Sequence, residues 1–275
     1  MTYAEKRRRI LEHIQEFRLI DDTFMTAVFK DKECTQVLIR CLLQRDDLNV
    51  LEVHTQDDLK NLWGRSVRLD ILASDTEGTL YNIEVQRADS GASRKRARYN
   101  SSLLDSNITN PGEEYEALSE THVIFITEND YFGKGCPLYH VERVVQETGE
   151  LFDDDEHILY VNGEYRGQDP VGRMMHDFFC KEPEEMHNEV LAKSVAYYKR
   201  DTKGVDSMCR ISEEIWSEGK SEGITEGIAE GIAKGKAEGI KAIMENMNLS
   251  FEQACDILDI PKADRPALEK VLHSL

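Results

Sequence analysis

The sequence predicts an α/β fold built on a mixed sheet. Three observations predict it. Two alternating strand patterns meet at a short turn in "RLDILASDTEGTLYNIEVQRADS", residues 68–90. The next stretch, "ASRKRARYNSSLLDSNI", has the spacing of a helix, and "THVIFITE" beyond it is a short apolar, β-branched run. Strand, strand, helix, strand is the order of a sheet with both antiparallel and parallel pairing, and a continuous apolar run is the mark of a buried strand.

Each element has its own justification. Residues 4–18 carry Ile10, Leu11, Ile14 and Phe17 at helical spacing. A second helical region covers 22–43 in whole or part, through "FMTAVF" and "CTQVLIRCLLQ". "VLEVHT" predicts a strand over about 50–55. The hairpin follows, then the helix, with Ser93 as its N-cap. "PLYHVERVV" and "HILYVNG" predict further strands, and the pattern is helical from 171 onward. In residues 217–240 glycine recurs every fourth position, at 219, 223, 227, 231, 235 and 239, with Ile at 224, 228, 232 and 240. That period is near the helical 3.6, yet each Gly costs a helix about 1 kcal/mol relative to Ala. The segment is therefore either a partly helical linker or a helix that self-associates. "LSFEQACDILDIPKADRPALEKVL" predicts two short amphipathic helices parted by Pro261, a packing or dimer module rather than a DNA reader. This organises the chain as 1–205, an arm at 206–246 and a helical tip at 247–275.

Composition narrows the function classes. The 275 residues are 40% hydrophobic, enough for a sizeable core. "MTYAEKRRRILEHIQEF" lacks the apolar segment of a signal peptide, and no run of about 18 apolar residues appears, so a cytoplasmic protein with no membrane partner is expected. Six scattered cysteines form no CxxC pair, which disfavours a zinc knuckle or a disulfide framework. The eight histidines include no His-x-x-x-His pair, and no Gly-rich phosphate loop is present. The net charge of −19 opposes general nucleic-acid binding. Its distribution is uneven. Residues 60–100 hold eight Lys/Arg against five Asp/Glu, and 105–160 hold two against fourteen. A basic face is thus available around the hairpin and its helix.

The hairpin places polar residues among apolar ones. "TEG" makes a three-residue loop with Gly78 third, where a type I turn plus bulge needs a left-handed residue. Asp75 then faces Thr79, and in that register Asp70 faces Glu84, with Gln86 on the same sheet face. Two facing carboxylates repel unless something neutralises them. A divalent cation held by hard oxygens would do so, as in a magnesium site. The alternative is a solvated face with Asp70 paired to Arg68 or Arg87.

The order Asp, then Glu-x-Gln, resembles the PD-(D/E)xK nuclease superfamily. More closely, "RLDILASDTEGTLYNIEVQ", "RKRARYNSSLLD", "LSETHVIFITENDYF" and "DDTFMTAVFKD" resemble the Rpn family of recombination-promoting nucleases and transposase-like proteins, over about residues 20–165. The Glu-Gly repeat is also typical of that family. The resemblance implies a restriction-endonuclease-like core with a mixed sheet flanked by helices and a C-terminal helical extension. It implies Mg2+-dependent hydrolysis of DNA phosphodiesters, with Mn2+ an alternative ion, in recombination, mobile elements or phage defence. Asp70, Glu84 and Gln86 become the catalytic set, Asp70 and Glu84 the metal ligands. Gln86 stands where the superfamily has Lys, and Leu69 where it has Pro. Asp21 or Asp22 would add a further carboxylate or cap a helix. Arg94, Arg96, Arg98 and Tyr99 would contact DNA; the alternative is a solvated basic face. The partners expected are DNA and a second copy of the chain bound through the C-terminal arm. The competing function is an interaction protein that keeps the nuclease fold with weak or no catalysis.

Overall fold

Before the sheet begins, three helices lay down one side of the core. A computed structural model describes residues 3–59, 67–109, 112 and 114–273. Helices α1 (Tyr3–Glu16), α2 (Asp22–Phe29) and α3 (Lys32–Leu43) lead in. The region read as helical over 22–43 is two helices, because Asp31 restarts it: its side chain accepts a hydrogen bond from the Glu33 N–H at 2.8 Å. Strands β1 (Val50–Leu59), β2 (Val67–Asp75) and β3 (Leu80–Gln86) form an antiparallel meander. Helix α4 (Arg94–Ile108) crosses over to β4 (Thr121–Thr127), which pairs parallel with β3. Then come β5 (Leu138–Val141) and β6 (Glu156–Asn162), and the six strands stand in the order β1-β2-β3-β4-β6-β5. This is the mixed α/β sheet that the sequence predicts.

Side-chain alternation gives the sheet two covered faces. One carries Tyr81, Ile83, Val85, Ile124, Ile126, Leu159 and Val161, packed with Phe24, Phe29 and Leu38 of the leading helices. Helices α5 (Pro170–Phe179) and α6 (Glu189–Arg200) extend the same core through Phe178, Leu191 and Val195. The other face packs Val123, Phe125 and Tyr160 against Ala97 and Leu104 of α4. The β3 row alternates accordingly. Its odd-numbered residues enter the first core, and Asn82, Glu84 and Gln86 turn toward α4.

The chain divides into two compact units, Met1–Ile211 and Ser212–Leu275. The Gly repeat is helical, within α7 (Thr202–Met247). Short helices α8 (Phe251–Ile257) and α9 (Arg265–Leu272) follow. In the second unit Ile240, Ala254, Cys255, Ile260 and Leu268 make a small core. Ser250 and Gln253 close a reciprocal cap at the start of α8. A side chain added at Gly227, Gly231 or Gly235 would meet nothing within 4 Å, and Ile232 is exposed. The side chains of Ile224 and Ile228 lie outside the described residues. No helix among the described residues is long and apolar enough to cross a membrane.

Candidate active site

The site grows from the end of the hairpin. Gly78 takes φ +91° in the turn, and the Asp75 N–H donates to the Thr79 carbonyl at 3.1 Å. The paired residues Ser74 and Leu80, Ala73 and Tyr81, Leu72 and Asn82, Ile71 and Ile83 follow that register. The backbone ladder stops one step short of Asp70 and Glu84. There the side chains take over. The Val85 N–H donates to Asp70 Oδ2 at 3.0 Å, and the Asp70 N–H lies 3.4 Å from Glu84 Oε1. Each carboxylate thus engages the opposite strand's backbone, and the two lie together on the α4 side of the hairpin.

Glu84 is fully buried, and its charge is answered on both oxygens. Arg96 Nη2 donates to Oε2 at 2.7 Å, and Asn82 Nδ2 donates to Oε1 at 3.0 Å. Asn82 is itself held by Asn100 Nδ2 at 3.3 Å. Arg96 also reaches the Gly91 carbonyl at 3.2 Å and Gln86 Oε1 at 3.5 Å. Gly91 leaves room for that amide: a Cβ there would sit 1.9 Å from Gln86 Oε1. Helix α4 aims Arg96 inward because Ser93 caps the helix, accepting from the Arg96 N–H at 3.3 Å.

Burial raises both carboxyls, since a low-dielectric setting disfavours charge. Asp70 is pushed up to about 7 by desolvation first and then by the charge of Glu84, with Asp22 adding to it. Glu84 is raised by desolvation, while Asn82 and Arg96 pull it back. Arg96 is therefore the standing partner of Glu84; no ion-pair partner of Asp70 is found among the described residues, and the Arg68 side chain lies outside them. Asp70 Oδ1 accepts no hydrogen bond among the described residues. A half-buried carboxylate with an open oxygen beside a second carboxylate, all donors being hard oxygen, fits a divalent ion such as Mg2+.

The expected residues separate into two groups. Asp70, Glu84, Gln86 and Arg96 come together. Arg94 and Arg98 are exposed, and Arg94 stacks over the Phe132 ring at 5.3 Å beside a cavity also lined by Tyr160 and Ile158. Tyr99 is half-buried on α4. Asp21 precedes α2 but makes no side-chain cap; it accepts from Arg87 Nη1 at 3.1 Å and from the Arg18 N–H at 2.8 Å. Asp22, exposed on the first turn of α2, is the one whose charge reaches Asp70. Sequence reasoning missed Asn82 and Asn100. Asn82 was readable, two residues before Glu84 on the same strand face. Asn100 was not, because its role depends on how α4 docks.

A family model described as PD-(D/E)XK nuclease family transposase matches residues 23–164, more than half of the chain, including Asp70, Glu84, Gln86 and Arg96. No curated protein and no solved structure matches.

Proposed function

The chain belongs to the PD-(D/E)XK nuclease transposase family, and on that premise we propose that it is a divalent-metal-dependent DNA endonuclease. The observation that carries the proposal is the Asp70–Glu84 pair: two carboxylates on one side of a hairpin, one of them raised to about 7 and with an oxygen that accepts no hydrogen bond among the described residues. Asp70 and Glu84 would hold the ion, Mg2+ by preference and Mn2+ as a substitute. When bound, that ion supplies Lewis-acid polarisation of the scissile phosphate and a more acidic water.

The chain's own residues do the rest. Asn82 fixes Glu84 by holding Oε1. Arg96 presents a planar fork of N–H donors, able to serve Glu84 and a phosphate oxygen at once. Gln86 brings no charge, so it can orient a water only by hydrogen bonding. Arg94, Arg98 and Tyr99 extend the basic side of α4 toward flanking phosphates, which offsets the acidic remainder of the chain. The nuclease-like domain at 1–205 carries this machinery. The arm at 206–246 would pair two copies through its open glycine stripe, and the tip at 247–275 would cap it. A role in recombination, mobile elements or phage defence rests on the family alone.

A plasmid-nicking assay tests the reading. Wild type should nick supercoiled DNA with Mg2+ or Mn2+ and not in EDTA, and Asp70→Asn and Glu84→Gln should each lose the activity by at least ~100-fold. Full nicking by both variants would sink the assignment. One observation favours the second reading, an inactive interaction protein: Arg96 already neutralises Glu84. No heat of Mg2+ or Mn2+ binding at millimolar ion, with no cleavage in either, would favour it.

A further inference from the structure

On the sheet face away from the carboxylate pair, the parallel register brings three residues into one row. Tyr81 pairs with His122 and His122 with His157 across β3, β4 and β6. The rings stack, Tyr81 on His122 at 5.2 Å and His122 on His157 at 4.6 Å between centroids. Glu120, just before β4, turns into the same place. Its Oε1 lies 3.1 Å from His122 Nε2 and 3.3 Å from His157 Nε2. All three donor atoms lie within 4.8 Å of one another.

We propose that Glu120, His122 and His157 form a second metal site, one for a nitrogen-preferring first-row cation of the Zn2+ class rather than for Mg2+. Three features carry it. First, Glu120 Oε1 lies 3.1 and 3.3 Å from the two ring nitrogens, close to the ~3.3 Å edge of a tetrahedron whose metal–ligand bonds are about 2.0–2.1 Å. Second, two of the three ligands, His157 and Glu120, are oriented from behind, while His122 Nδ1 has no partner among the described residues. His157 Nδ1 meets Glu142 Oε1 at 3.1 Å, which is the carboxylate–imidazole arrangement that steadies a metal-bound histidine. The Thr79 hydroxyl lies 3.3 Å from Glu120 Oε2, leaving Oε1 to face the rings. Third, His157 stands between two carboxylates, Nδ1 toward Glu142 and Nε2 toward Glu120, so that with Nδ1–H kept for Glu142 the Nε2 lone pair faces Glu120 Oε1 and both could share a cation placed there.

Donor type supports the choice of ion. His122 is buried and turns its Nε2 toward Glu120, an imidazole nitrogen placed to ligate. His157 and Glu120 are partly exposed, so an ion could enter from solvent. Imidazole nitrogens favour Zn2+ over Mg2+, so the two sites discriminate by donor type. The ion would tie the beginnings of β4 and β6 together.

Metal content of the full-length protein tests this apart from the nuclease reading. After EDTA treatment, Zn2+ is added with millimolar Mg2+ present and retained metal is measured; Co2+ replaces Zn2+ in a parallel visible-absorption titration. Wild type and Asp70→Asn should both retain about one Zn2+ per chain and give the intense Co2+ band of a four-coordinate ion. Glu120→Gln and His157→Asn should lose both signals. Glu142→Gln should weaken Zn2+ binding by roughly 10–100-fold. Zn2+ retention unchanged in both Glu120→Gln and His157→Asn overturns the proposal. So does a wild-type protein that retains no Zn2+ and stays colourless with Co2+, a result that needs no variant to fold.

Discussion

Under the proposed function, Asp70 is the residue on which proton and metal chemistry would converge. Its folded-state value of about 7 stands above its ordinary 3.8, so the folded chain holds that proton more tightly than the unfolded chain does. The stability this contributes is complete below about pH 4 and is lost as pH rises through about 7. Metal-free Asp70→Asn should therefore melt higher than wild type at pH 8, by ~1–2 kcal/mol in EDTA; an equal or lower melting point would contradict the buried charge. A cation competes with the same proton. Titration calorimetry between pH 5.5 and 8 should show Mg2+ or Mn2+ affinity falling about tenfold per pH unit below about 7 and levelling above it. Flat affinity across that range would place the ion elsewhere.

At the scale of elements, the hairpin and α4 make the site between them. The hairpin supplies carboxylates where its backbone ladder ends, and α4 supplies the guanidinium and the Asn100 that holds Asn82. Replacing Asn82 with Ala strips Glu84 Oε1 of a buried donor and should cost about 1–3 kcal/mol in chemical unfolding. Gly91→Ala should act differently. The new Cβ displaces only the end of a flexible Gln86 side chain, so stability should stay within ~0.5 kcal/mol while nicking falls. If nicking is unchanged, Gln86 has no part in orienting water. The long helix α7 is a contrast. A side chain added at its glycines 227, 231 or 235 would meet nothing within 4 Å among the described residues, so packing seen at those three positions does not offset their helix cost.

For the whole molecule, the proposed function makes charge and association the terms that would decide how DNA is reached. A chain of net charge −19 repels DNA except along its basic stretch, so binding should be strongly salt-dependent. Arg98→Ala should lower the slope of log K against log salt by about 1, and leave Mg2+ affinity as in wild type. Deleting residues 217–275 should reduce the sedimentation mass to that of one chain; an unchanged oligomer would remove the arm from the association.

Local periodicity alone determined the outline. Alternation and the Gly78 turn set the β2–β3 register, and the helix, the apolar strand after it and the family's motifs were equally legible, because each depends on neighbours within a few residues. What only the tertiary structure decided came from elements joined by long crossovers. Of the three arginines singled out on α4, packing turned Arg96 inward to Glu84 and left Arg94 over Phe132. The sequence showed no histidine pair at ligand spacing, yet parallel pairing of β4 with β6 stacked His122 on His157. Such meetings are fixed by which faces bury together, and no short window of sequence carries that information.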